Sequence, residues 1–111
     1  MNEARITRGV HKKGYRSWSA FRRVLGKAEP GKEWHHIVEQ SKTEIFGSEW
    51  INNARNMIQL DIETHSKVSA YYSTKQVWTC GKTVREWLNS KSFVFQRDFG
   101  IKYLLSLGVD I

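Results

Sequence analysis

Trp34-His35-His36-Ile37-Val38-Glu39-Gln40 and, beyond a polar interval around Asn52 and Asn53, Asn56-Met57-Ile58-Gln59-Leu60-Asp61-Ile62-Glu63-Thr64-His65 decide how this chain is read. The run from Glu33 to Glu39 suits an extended arm and Met57 to Leu60 suits a second, so the simplest arrangement is a short hairpin turning through the Asn52-Asn53 loop. Asp61 stands where an N-cap belongs, because its carboxylate can accept from the open amides of a first helical turn. The spacing predicts a helix from there to about Ser73, with His65, Val68, Ser69 and Tyr72 recurring every three or four residues on one face. Three of the four histidines thereby fall on one hairpin and its following helix.

Outward from this centre the pattern is helical. Trp18, Phe21, Val24 and Leu25 recur at helical spacing with Arg22 and Arg23 between them, which predicts a short basic amphipathic helix. Gly26 and then Glu29-Pro30-Gly31 break it and set a boundary near residue 30. The first dozen residues of the chain, rich in Arg, Lys and Gly, read as loosely ordered. Downstream, Thr83-Val84-Arg85-Glu86 has capping-box form with Trp87 and Leu88 as buried positions. Phe93, Phe99, Tyr103, Leu104 and Leu107 then mark a last helix that stops at Gly108. The expected architecture is a mainly helical α+β domain spanning residues 1–111: a basic N-terminal helical part over 1–30, the hairpin-helix unit over 32–75 and C-terminal helices over 76–111. Five tryptophans in 111 residues are read as large side chains filling a limited core, with one of them free to line a groove.

Charge narrows the partner. Eighteen Lys and Arg against eleven Asp and Glu give a formal net charge of +7, which favours a polyanion. Residues 1–33 carry nine basic and three acidic side chains, residues 34–75 four and five, and residues 76–111 five and three. The charge sits ahead of the histidines, as expected if a basic part holds a phosphate backbone beside a separate reactive centre. Cys80 is alone, which excludes an internal disulfide framework and a Cys-rich zinc finger, so any metal would be held by nitrogen and oxygen. Residues 1–30 lack the apolar core of a signal peptide, and no window has the apolar length of a membrane span, so no membrane is expected.

Phosphodiester hydrolysis needs a base for water, an electrophile on the phosphate oxygens and help for the departing alkoxide, and one divalent metal meets the last two needs. Neutral imidazoles are good ligands, and an imidazole titrating near 6.5 is a competent base at neutral pH. The set therefore resembles the HNH, or His-Me finger, nuclease superfamily over about residues 32–75. The resemblance implies a ββα-metal finger packed with flanking N- and C-terminal helices. It makes His35 and His65 the metal ligands, His36 the general base, and Asn56 the residue that orients the base through the hairpin backbone. The segments WHHIVEQ and HSKVSAYYS also resemble the C-terminal nuclease toxin domains of bacterial polymorphic toxins. That likeness implies delivery as part of a larger secreted toxin, action in the cytoplasm of the target cell and a cognate immunity protein. One departure from the colicin-type pattern is Ser69, which stands where a second helical His binds metal. A sparse coordination sphere follows, suited to Mg²⁺ or Mn²⁺ for turnover and to Zn²⁺ or Ni²⁺ as occupants.

The substrate is expected to be DNA, with RNA as the alternative. Arg55, Lys67 and Lys75 around the motif and Arg22 and Arg23 on the first helix, with Arg16 just before it, are candidates for phosphate contacts. Glu39 is left out of the ligand set, since a carboxylate at a strand end pairs more simply with a surface Lys. Tyr71 and Tyr72 can stack on bases, but Tyr72 on the His65 face fits the core better. The rival from another class is a non-enzymatic nucleic-acid-binding module with a structural metal, which requires four firm ligands.

Overall fold

The computed structural model describes residues 14–111, so the stretch read as loosely ordered lies outside the described residues. Helix α1 (Trp18–Leu25) begins where the Ser17 hydroxyl accepts from the Ala20 amide, 3.0 Å away, and ends at Gly26, whose φ of 86° suits a residue without a side chain. Strand β1 (Lys32–His36) follows, then short helices α2 (Thr43–Phe46) and α3 (Ser48–Ile51), strand β2 (Met57–Asp61), and helices α4 (Ile62–Tyr72), α5 (Val84–Leu88) and α6 (Phe93–Ser106). The fold is α+β: one two-stranded antiparallel sheet among helices. Among the described residues no helix is long and apolar enough to cross a membrane.

The strands pair as expected, with His35 opposite Ile58 and His36 opposite Met57. The connection between them, however, is no short hairpin. Residues 37–56 make two 3₁₀ turns and helices α2 and α3, because Ile37, Val38 and Ile51 are apolar and need burial that a tight turn cannot provide. Lys42, in the first of those turns, is 2% exposed and donates its ammonium to the Arg85 carbonyl, 2.6 Å away, and to Asn89 Oδ1. It pins the connection onto α5.

Helix α4 starts at Asp61 as read, although the Asp61 side chain makes no capping bond. Thr83 and Glu86 do form the reciprocal capping box, with bonds of 3.1 and 2.9 Å. The core joins Leu60, Val68, Tyr72, Val84, Leu88 and Leu104. It is mostly aliphatic, which corrects the expectation that tryptophans fill it: Trp50 is 57% and Trp78 41% exposed, and Trp18, Trp34 and Trp87 are only partly covered. On α6 the buried stripe is Gln96, Gly100 and Leu104. A Cβ on Gly100 would lie 2.9 Å from Ile37 Cγ2 and 3.0 Å from the Ile37 carbonyl, so this glycine lets α6 sit directly behind the segment that leaves β1.

Candidate metal and nuclease site

A strand sends neighbouring side chains to opposite faces, and β1 uses both. Trp34 and His36 face α1. Phe21, fully buried, meets Trp34 edge-on with centroids 5.2 Å apart, and Trp18 lies over His36 at 5.0 Å. Glu33 and His35 face α4, where His65 sits on the first turns. The His35 and His65 rings are 5.2 Å apart, centroid to centroid, at 71°. All three histidines, together with Glu39, Val68 and Ser69, border one pocket of about 210 Å³ at the end of β1.

Hydrogen bonds settle which nitrogen of two rings is available. His65 Nδ1 lies 2.6 Å from Glu33 Oε1, and since a carboxylate can only accept, Nδ1 is the donor and the lone pair of a neutral ring is on Nε2. His36 Nε2 lies 3.0 Å from Asn52 Oδ1. The Asn52 amide nitrogen donates to Ser48 Oγ at 2.9 Å, and that hydroxyl donates to the Tyr15 carbonyl at 3.2 Å, so the Asn52 oxygen is the atom facing His36. Nε2 therefore donates and Nδ1 is the basic nitrogen. Asn52 is a residue of the candidate site that sequence reading treats only as loop. Its distance from His36 in sequence hides the contact.

Asn56 makes no bond to the His36 ring and bonds the backbone just beyond it. It is 1% exposed; its Oδ1 accepts from the Val38 amide at 2.8 Å, and its Nδ2 donates to the carbonyls of Val38 at 3.0 Å and Ile51 at 2.9 Å. Its own carbonyl accepts from the Ile37 amide. Asn56 thus staples the exit of β1 to the long connection, while the side-chain partner of His36 is Asn52. The pairing expected for Glu39 is corrected: its two carboxylate oxygens accept from Nε and Nη2 on one edge of the Arg85 guanidinium, at 2.7 and 2.8 Å, rather than from a surface Lys.

Burial dominates the titration of the strand histidines. His35 is pushed down to about 4 by desolvation and then by the nearby His65 and His36, and burial also holds His36 below its ordinary range, partly offset by the Asn52 bond. Both are neutral at neutral pH, the state a ligand and a base require. For His35 the folded value lies below the unfolded value of 6.5, so the unfolded chain takes up the proton first and stability is whole above pH 6.5 and drains as pH falls towards 4. The loss from this group is about 3 kcal/mol. Thermal melts of the chain in EDTA between these pH values are expected to show it, and a His35→Gln variant is expected to show a flatter profile; equal profiles would contradict the assignment.

Two imidazoles at this separation could share a divalent ion. Imidazole nitrogens bind zinc-like ions at about 2.1 Å, which places two rings on one ion with centroids roughly 5 Å apart. His35 and His65 have that separation, and the Glu33 carboxylate behind His65 is the usual outer partner of a ligating imidazole. Among the described residues no group of three or more His, Cys, Asp and Glu is placed to hold an ion.

No protein-family model, curated protein or solved structure matches this chain. Its functional reading rests on its own residues. Of the basic residues expected to contact phosphate, Arg22 borders a second pocket of about 400 Å³ with Lys27 and Lys32, contiguous with the histidine pocket through Trp18, Trp34 and His65. Lys27 and Lys32 were not legible as site residues, because only the packing of α1 on β1 brings them there. Arg23, Lys67 and Lys75 are exposed and border neither pocket, and Arg55 borders a different one.

Proposed function

We propose that this chain is a divalent-metal-dependent endonuclease of the HNH, or His-Me finger, type. The observation that supports it most is the convergence, in one pocket, of the His35-His65 pair with His36, whose tautomer is set. A divalent ion held by His35 and His65 would supply Lewis acidity towards the phosphate and departing oxygens. His36 Nδ1 takes the proton from the attacking water, and the imidazolium so formed keeps its bond to Asn52. Glu33 fixes the ring of His65, and the Arg22, Lys27 and Lys32 cleft receives the flanking phosphates. The WHHIVEQ and HSKVSAYYS segments extend the proposal to a toxin domain delivered into another cell and neutralised by an immunity protein.

The test is incubation of the purified chain with supercoiled plasmid and with total RNA, each with EDTA, Mg²⁺, Mn²⁺, Zn²⁺ or Ni²⁺. Metal-dependent cutting is expected, of DNA in preference to RNA. Salt-sensitive binding without cutting under every metal would replace the nuclease by a binding module. Asn52 offers a finer check: Asn52→Leu removes the acceptor that sets the His36 ring and is expected to lower kcat about 10- to 100-fold. Asn52→Asp keeps the acceptor and is expected to retain most of the activity; equal losses in the two would mean that Asn52 serves only the loop.

A further inference from the structure

The turn that follows α3 carries a pocket apart from the histidines. It has a volume of about 360 Å³ and is bordered by Trp50, Asn53, Arg55, Asn56, Phe93 and Arg97. Trp50 is 57% exposed, and its ring meets Phe93 edge-on, with centroids 5.0 Å apart at 84°. A flat ring stacked on either aromatic would present its edge to the other. Two guanidiniums and no carboxylate line the same space. Arg97 spends Nε and Nη2 on the Arg55 carbonyl, at 3.0 and 2.7 Å, which anchors the side chain and leaves Nη1 with no partner among the described residues. The Arg55 guanidinium also has none there. Asn53 uses its oxygen on the Arg55 amide and one N–H on the Glu49 carbonyl, so its second N–H remains for an acceptor.

The geometry points to a nucleotide subsite: this pocket holds one unpaired base of a nucleic-acid strand, stacked on Trp50 or Phe93, with the adjoining phosphate on Arg55 and Arg97. The charge decides against a purely apolar occupant, since it would cover two guanidiniums that no carboxylate in the pocket balances. The aromatic pair decides against a simple phosphate patch, because every base has a face to stack and a phosphate has none. An unpaired base requires a single strand, a nick or an extruded nucleotide, whereas an intact duplex reaches the pocket with phosphates alone. The choice of ligand rests on the nuclease reading. The position agrees with it: Asn56, one wall of the pocket, bonds the backbone of Ile37 and Val38 immediately after His36.

Binding separates this inference from catalysis. In EDTA, with His36→Ala as the background so that nothing is cut, affinity is measured for a short mixed-sequence single strand, its perfect duplex, and the same strand with one internal base removed. Trp50→Ala is expected to weaken the single strand roughly 5- to 100-fold and leave the duplex unchanged. Arg55→Gln, at an exposed side chain, is expected to weaken both and to flatten the salt dependence. Single-strand binding indifferent to Trp50→Ala, or equal losses for single strand and duplex, would overturn the subsite. So would a Trp50→Ala variant that loses only a protein partner, since the pocket would then be a protein-docking face. Because these arms need no cleavage, they stand whether or not the plasmid and RNA assays show nuclease activity.

Discussion

His36→Ala is expected to lower metal-dependent cleavage by about 10²- to 10⁴-fold, the usual contribution of a positioned base, while leaving affinity for a divalent ion near its starting value. The expectation comes from the two faces of β1. His35 faces α4 and stands 5.2 Å from His65, whereas His36 faces α1 under Trp18 and gives Nε2 to Asn52. Removing the His36 ring therefore takes away the basic nitrogen and leaves both proposed ligands. His65→Ala acts differently, because it deletes a ligand and strands Glu33, so cleavage and ion affinity are expected to fall together. Calorimetric titration of Mn²⁺ or Zn²⁺ into the two variants, beside cleavage rates, separates them. Equal loss of ion binding in both would exchange the roles of His35 and His36. Thermal melts guard the comparison, since His36→Ala also removes the ring under Trp18.

Asn56→Ala is expected to be the most damaging of these substitutions for the fold. The side chain is 1% exposed and satisfies one amide and two carbonyls of Val38 and Ile51. An alanine leaves those three backbone groups buried without partners. At about 1 kcal/mol or more for each, the loss is roughly 3 kcal/mol or more. For a domain of this size that is a fall in Tm of about 10–20 °C. Cleavage per folded molecule, measured well below the new Tm, is expected to fall much less than in His36→Ala. An unchanged Tm with abolished cleavage would show instead that Asn56 acts in the chemistry and that the staple contributes little. The comparison matters because the resemblance has Asn56 orient the base through the hairpin backbone, and its bonds are to the backbone directly after His36.

Much of the architecture was legible because local signals agreed. The Trp18–Leu25 helix, the Thr83-Glu86 capping box and the stop at Gly108 each follow from side chains within one or two turns of one another. The connection between the strands was misread as a hairpin turn because Ile37, Val38 and Ile51 look like strand and loop residues until their burial is known. Glu39 was assigned a surface Lys because nothing local marks Arg85, 46 residues later, as its partner.

From its order of residues alone, this protein determined that three histidines occupy an extended arm and the next helix, that charge gathers ahead of them, and that a single cysteine leaves no Cys-rich metal site. These are properties of composition and of spacings of two, three and four, which a regular backbone converts directly into faces. Only the tertiary structure decided which nitrogen of His36 is basic, that Asn52 bonds that ring while Asn56 bonds the backbone beyond it, and that Lys27 and Lys32 join Arg22 beside His65. It also decided that Trp50, Phe93, Arg55 and Arg97 share a pocket. Each of these depends on contacts between segments far apart in the chain, and the direction of a side chain there is set by what the rest of the core leaves open.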